Sequence, residues 1–283
     1  MKTIKTIPQL RRLIEAQRRR GRTIGFVPTM GALHQGHLSL IRLAKKRSDF
    51  VVVSIFVNPA QFGPNEDFSK YPRDLKHDTL LCKSAGADLI FAPQVRDVYP
   101  ENYLTYVTVE QLTEGLCGAS RPGHFKGVAT VVAKLFNLVR PDVAVFGQKD
   151  AQQCAVIRQM ARDLDFPVKI VIAPIVRERD GLAMSSRNAY LTPAERRQAT
   201  ALHHSLILAK QLVRGGQRTA DKVKSEMEKL ISCEAPLGKI DYIEIVDNAT
   251  LKPVNKIEKN TLIALAVKFP SARLIDNILI KSA

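Results

Sequence analysis

The stretch Phe26–His37 reads F-V-P-T-M-G-A-L-H-Q-G-H. An apolar run from Thr23 to Val27 leads into it, and a helical pattern from Leu38 to Arg47 follows. It therefore reads as a strand, a turn punctuated by Pro28 and Gly31, and a helix start. His34 and His37 stand three apart where the turn becomes the helix. The first N–H groups of a helix lack partners and lie at the positive end of its dipole, which suits a phosphate. Gly31 and Gly36 carry no side chain to hold a ligand away from the backbone. H-x-x-H is also half of a zinc site, but zinc takes about three or four ligands and neither Cys nor Glu lies nearby. Two histidines can equally pack or face solvent. The flanking glycines and the strand–turn–helix setting favour a ligand. The stretch is neither a Walker P-loop nor G-x-G-x-x-G.

Phe50 to Val57, F-V-V-V-S-I-F-V, is a near-continuous β-branched run, as a strand buried on both faces of a parallel sheet requires. Strand, helix, strand is a βαβ unit with a right-handed crossover. Ligands of such sheets gather at the carboxyl ends of the strands. His34, His37, Asn58 and Gln61 all fall at such ends. On local grounds alone, Asn58 could be a plain turn residue before Pro59 and Gln61 a solvated loop side chain.

Around this unit the pattern predicts an opening helix over 9–20, a helix around 75–85 and short strands at 88–92 and 105–109. Residues 115–127, G-L-C-G-A-S-R-P-G-H-F-K-G, predict a long flexible loop carrying Arg121, His124 and Lys126, ahead of an apolar helix over 128–139. Val143 to Phe146 reads as a strand ending in G-Q-K-D, residues 147–150. Asp150 is placed to cap the next helix, and Lys149 stands where a cation can meet phosphate oxygens. Gln152 and Gln153 fall in that helix's first turn. After a strand at 168–173, residues 176–191 are dense in charge and turn residues, and read as a linker or a mobile phosphate loop. T-P-A-E at 192–195 is a capping box opening a long helix to about 211. A helix over 219–231 and strands over 240–246, 261–267 and 274–280 complete the chain. Helices followed by a meander predict a small α+β domain, so the expected division is 1–176 and 177–283.

With 283 residues, 45% apolar and 25% charged, the composition is that of a soluble globular protein. No apolar run approaches the ~20 residues of a membrane span. The N-terminal residues lack a signal-peptide core, and Cys82, Cys117, Cys154 and Cys233 show no C-x-x-C spacing. The expectation is a cytoplasmic protein with no membrane partner. The net charge of +16 invites a nucleic-acid reading, but residues 1–50 hold 12 Lys/Arg against 2 Asp/Glu, or +10 of it. Those charges lie on two amphipathic helices and read as solvated faces. No aromatics interleave with them and Trp is absent, so no nucleic acid is expected.

P-T-M-G-A-L-H-Q-G-H resembles the His-x-Gly-His signature of the nucleotidylyltransferase superfamily, and M-S-S-R at 184–187 resembles its partner loop. S-I-F-V-N-P-A-Q-F-G, S-R-P-G-H-F-K-G-V, F-G-Q-K-D-A-Q-Q and M-S-S-R-N-A-Y-L, in this order, are similar to the pantoate–β-alanine ligases. The similarity spans the chain. One departure is Gln148, where the family more often has Glu. The resemblance implies an α/β fold with a Rossmann-like doubly wound parallel sheet and a smaller C-terminal α+β domain. It implies an AMP-forming carbon–nitrogen ligase that condenses pantoate with β-alanine through pantoyl adenylate, in pantothenate biosynthesis. ATP is then a substrate, Mg²⁺ accompanies it with Asp150 as its protein ligand, and the chain forms a homodimer. Carried over residue by residue, His37, His34 and Lys149 are catalytic. Met30, Gly31, Ala32, Leu33, His34, Gln35, Gly36 and His37 line the nucleotide, as do Gly147, Gln148, Lys149, Asp150 and Val176. Met184, Ser185, Ser186 and Arg187 close over the triphosphate. Gln61, Gln153, Asn58 and Arg121 meet the substrates. A different nucleotidylyltransferase would share the histidines but not need the amides of Asn58, Gln61 and Gln153. An RNA-binding protein would show steep salt dependence and no ATP–pyrophosphate exchange.

Overall fold

The computed structural model describes residues 1–64 and 66–281. In chain order it begins β1 (Lys2–Ile4), α1 (Ile7–Arg18), β2 (Ile24–Thr29), α2 (Gln35–Lys45) and β3 (Phe50–Ile55). It continues with α3 (Leu75–Ser84), β4 (Leu89–Phe91), α4 (Val95–Val98), α5 (Cys117–Ser120), α6 (His124–Val139) and β5 (Val143–Gly147). Then come α7 (Ala151–Asp163), β6 (Lys169–Ala173), α8 (Pro193–Gln198), α9 (Ala201–Arg214), α10 (Ala220–Glu234), β7 (Lys239–Asp247), β8 (Thr261–Lys268) and β9 (Arg273–Leu279). Three 3-10 turns, Pro59–Gln61, Gln148–Asp150 and Ser186–Tyr190, stand beside the stretches singled out in the sequence.

Cα packing groups the chain into two compact units. One comprises Met1–Val109, Arg121–Gln148 and Val156–Pro174; the other comprises Glu110–Ser120, Lys149–Ala155 and the chain from Ile175 onward. The second unit thus takes in two short segments that a single boundary at 176 assigns to the first.

The first unit is built on a parallel sheet in the order β1-β4-β3-β2-β5-β6. The chain leaves β2 toward one edge and β5 toward the other, so the gap between them is the topological switch point of a doubly wound sheet. The α/β class expected from the sequence holds. β2 pairs with β3 along six residues, Ile24↔Phe50 to Thr29↔Ile55, but with β5 only at Gly25↔Val143 and Phe26↔Ala144. Pro28 brings no N–H to a ladder. The carboxyl ends of β2 and β5 therefore do not pair with each other, and ligands of this architecture bind in the crevice at such a switch point.

β-branched strands are covered on one face by α2 and α3, where Val27, Leu38, Ile41, Val51, Val53, Cys82, Ile90 and Val145 form one core cluster. Elsewhere in this unit Phe136 of α6 meets Phe26, Phe146 and Phe166 edge-on. α6 starts earlier than its apolar run, at His124, which shortens the expected flexible loop. It approaches the Pro59–Gln61 turn so closely that a Cβ at Gly127 would lie 2.1 Å from the Ala60 carbonyl oxygen. The strand expected at 105–109 does not form; the Val107 N–H donates to the Thr130 hydroxyl at 2.9 Å instead of to a neighbouring strand. β1 escapes the sequence pattern because only Ile4 of its three residues is buried, so no alternation shows. Arg11, Arg12, Arg19 and Arg20 of α1 and its end, and Lys46 and Arg47 after α2, are exposed.

The second unit holds an antiparallel sheet, β7-β8-β9, with α9 and α10 against it. Leu202, Leu206, Val223, Met227, Ile243, Ile263, Leu265 and Val267 belong to its core. The helix expected over 192–211 is broken at Ala199 and Thr200. The Thr200 hydroxyl donates back to the Arg197 carbonyl at 2.9 Å, a local bond that competes with the helical ladder.

Candidate functional site

The chain leaves β2 through two consecutive left-handed residues, Gly31 at φ +88° and Ala32 at φ +51°. Two such residues turn successive N–H groups toward one point, a concavity that holds an anion. Here the anion is the protein's own: the Asp78 carboxylate of α3 accepts from Ala32 N–H at 3.0 Å and Leu33 N–H at 2.8 Å. These two donors, expected to line the nucleotide, are therefore engaged within the fold. Asp78 is 1% exposed. Burial pushes its carboxyl above the ordinary value, and the two N–H bonds oppose that shift.

Past this turn the histidines cap α2. His34 Nδ1 accepts from Gly36 N–H at 3.1 Å, and His37 Nδ1 accepts from His34 N–H at 3.3 Å. They play the parts of Ser and Glu in an ordinary capping box. The chemistry follows from the atom used. A nitrogen that accepts from an N–H carries no proton, so each neutral ring carries its proton on Nε2. The two rings lie 4.1 Å apart between centroids. The loop therefore sets the two rings side by side at a helix N-terminus, at the carboxyl end of β2.

At the carboxyl end of β3 stands a cluster of amides. Asn58 is 1% exposed. Its Nδ2 donates to Gln61 Oε1 at 3.1 Å and to the Gly127 carbonyl at 3.1 Å, while its Oδ1 accepts from Tyr99 Oη–H at 2.8 Å and from Ala60 N–H at 3.3 Å. All of its hydrogen-bonding directions are accounted for within the protein. Its partners also settle which way the Gln61 amide faces: Oε1 lies toward Asn58, and Nε2 lies 3.2 Å from Met30 Sδ. Arg121, placed by resemblance near the substrates, makes a bidentate pair with Glu66 at 2.6 and 2.5 Å. Burial opposes the Glu66 charge, but the Arg121 bonds and charge outweigh it and hold that carboxyl below its ordinary value. Arg121 also reaches the Gln61 carbonyl at 3.3 Å, and His124 Nδ1 stands 2.8 Å from the same oxygen. Gly147 and Gln148, at the end of β5, are half-buried.

Within the second unit, Lys149 is half-buried and Asp150 exposed, directly before α7. The two neighbouring glutamines separate in role. Gln152 is buried; its Oε1 accepts from Cys117 N–H at 2.9 Å and its Nε2 donates to the Leu112 and Gly115 carbonyls at 3.0 and 2.8 Å. Gln153 is half-buried on another side of the helix. Val176 accepts from Met184 N–H at 3.0 Å, and Arg177 bridges Ala183, so 176–184 folds back on itself around Gly181 at φ +94°. Its dense charges act as braces. The Arg177 guanidinium donates to Asp276 at 2.6 and 3.0 Å, and Arg196 pairs with Glu178 and Asp180 at 2.6 and 2.7 Å. Ser185 Oγ accepts from Arg187 N–H at 3.2 Å and so starts the Ser186–Tyr190 turn.

Asp78, Tyr99 and Glu66 do not stand out in the sequence, and Gln152 reads there no differently from Gln153. An Asp in the first turn of a helix reads as a dipole partner, and nothing local ties it to a loop 45 residues earlier. Among the described residues no group of three or more His, Cys, Asp and Glu could hold a metal ion. No helix there is long and apolar enough to cross a membrane.

A family model described as pantoate-β-alanine ligase matches residues 2–279. A pantothenate synthetase of Heliobacterium modesticaldum is 57% identical over 281 residues, covering 99% of this chain and 100% of its own. One of Moorella thermoacetica is 56% identical over 281 residues, covering 99% of both. Among solved structures, pantothenate synthetase of Thermus thermophilus superposes with a TM-score of 0.94 at 46% identity, covering 99% of this chain and 100% of that one. Pantoate-β-alanine ligase of Francisella tularensis, described as complexed with β-γ ATP and β-alanine, gives 0.80 at 34% identity over 100% of this chain and 99% of that one.

Proposed function

This chain belongs to the pantoate–β-alanine ligase family, and we propose from that premise how its residues divide the reaction. The enzyme condenses pantoate with β-alanine at the expense of ATP. In the first step a pantoate carboxylate oxygen attacks the α-phosphorus in line, the bond to the bridging oxygen breaks, and pyrophosphate leaves. In the second, the β-alanine amine attacks the acyl carbon, loses a proton, and AMP leaves with the carboxyl oxygen. Little covalent chemistry falls to the protein in the first step, so its work is positioning and charge.

His37 and His34 donate through Nε2–H to phosphate oxygens as negative charge gathers there. Because each Nδ1 is held as an acceptor, the rings act as neutral donors, and a proton added at Nδ1 would break the cap. His37 therefore stabilises charge rather than handing over a proton. Gly147, Gln148 and Val176 meet the nucleotide; Lys149, Arg187, Ser185 and Ser186 serve its polyphosphate. Gln61 and Gln153 hold pantoate, whose hydroxyls and carboxylate suit amides. Asn58 orients Gln61 rather than touching substrate. The feature that supports this reading best is the pair of Nδ1-pinned histidines at the mouth of the β2–β5 crevice.

Mg²⁺ accompanies ATP in this proposal. The donors present fit an ion that keeps waters and binds mainly phosphate, with exposed Asp150 as its one carboxylate, and do not make an all-protein site. Such an ion neutralises polyphosphate charge. We also propose a homodimer in the cytoplasm, to be checked by sedimentation equilibrium and fractionation.

The experiment is exchange of labelled pyrophosphate into ATP, without β-alanine, on wild type and His37→Ala. Exchange should require pantoate and fall by roughly 100- to 1000-fold in the variant, the usual loss of one charge-stabilising donor. Exchange that proceeds without pantoate, or is absent with saturating substrates, overturns the proposal.

A further inference from the structure

We infer that Asp78 is a positioning residue for the two histidines: its carboxylate clamps the left-handed turn that aims them, without touching substrate. This rests on the proposed role of His34 and His37 and deepens it. Ala32 stands at φ +51°, a left-handed conformation that crowds any residue carrying a Cβ. Something must hold it there, and the bonds from Ala32 and Leu33 N–H to the Asp78 carboxylate do so. Leu33 adjoins His34, whose own N–H is the donor that His37 Nδ1 accepts. The clamp, the turn and the tautomer of both rings thus form one connected chain of bonds. The fit is tight from the other side as well: a Cβ at Gly31 would stand 2.9 Å from Asp78 Oδ2 and 3.1 Å from Ile55 Cγ2. Both Asp78 oxygens are spent on this turn, Oδ2 on Ala32 N–H and Oδ1 on Leu33 N–H, while burial opposes its charge. A buried carboxylate kept for geometry is the simpler account.

Asp78→Asn keeps the size but turns an N–H₂ toward one of the two N–H groups. Two readouts apply to the full chain. Pantoate-dependent pyrophosphate exchange should lose about 100-fold in kcat, the scale of an ångström-level misplacement, with KM for ATP and pantoate within a fewfold of wild type. Ring ¹⁵N shifts of His34 and His37 should move from the pure Nε2–H tautomer toward an average of the two. A merely structural role would change the urea midpoint and leave the shifts of the folded fraction alone. Should Asp78→Asn fail to fold, Gly31→Ala tests the same coupling by displacing the carboxylate, and the same two changes are expected. Wild-type ring shifts with kcat within twofold in a folded variant overturn the inference. If wild type itself shows no pantoate-dependent exchange, the functional reading fails, while the ring shifts still decide whether Asp78 positions the histidines.

Discussion

Asn58 sits beside the residues proposed to bind substrate, yet its amide is fully occupied by Gln61, Gly127, Tyr99 and Ala60. An amide flips readily when its neighbours do not distinguish its two ends, and here both ends are distinguished. Asn58→Ala leaves Gln61 Oε1 and the Gly127 carbonyl without their donor, at about 1–3 kcal/mol, so kcat/KM for pantoate should fall roughly 5- to 150-fold. Tyr99→Phe removes one of two donors to Asn58 Oδ1 and should have a smaller effect in the same direction. Steady-state kinetics with varied pantoate checks both, and unchanged values in Asn58→Ala would return Gln61 to the status of an unassisted contact. The sequence placed Asn58 and Gln61 correctly at a strand's carboxyl end, because that depends only on the apolar run before them. It could not separate the residue that orients from the residue oriented.

At the scale of elements, capping was legible and bracing was not. T-P-A-E reads as a capping box, and Thr192 N–H donates to Glu195 Oε2 at 2.7 Å. The second bond was hidden: Glu195 Oε1 accepts from Ser271 N–H at 2.9 Å, tying α8 to the turn before β9. The Thr192 backbone bond, with Ser271 adding to it against burial, brings the Glu195 carboxyl from 4.5 down to about 2. A depressed acid contributes stability above its unfolded value and loses it as pH falls through its folded value. Glu195→Gln should therefore be less stable than wild type at pH 7, with the gap closing between pH 4.5 and about 2. Urea midpoints of both proteins across that range test this; a gap independent of pH would assign the effect to shape and not to charge. The broken helix at Thr200 and the absent strand at 105–109 have one feature in common. In each, a threonine hydroxyl takes a backbone partner that propensity alone would give to a helix or a ladder.

For the whole molecule, the two units interleave along the chain. Gln152 ties 112–117 to 149–155, Cys117 Sγ lies 3.3 Å from Tyr242 Oη and 3.5 Å from Arg273 Nη1, and Asn277 Nδ2 donates to the Lys149 carbonyl at 2.9 Å. A fragment of residues 177–283 lacks every partner in those two segments. We expect it to melt below the same unit in the full chain, or not to fold, as read by amide dispersion and thermal unfolding. A dispersed spectrum with an unchanged melting temperature would instead make the boundary at 176 sufficient. By itself, the sequence determined the α/β sheet, the antiparallel meander and the place of the histidine loop, since hydrophobic periodicity and turn residues act over a few neighbours. Only the tertiary structure decided that Asp78 holds that loop, that Gln152 is buried as a brace while Gln153 is half-buried, and that 110–120 joins the second unit. Those outcomes hang on single polar contacts between distant segments, and no local pattern records which donor a folded chain will bring to which acceptor.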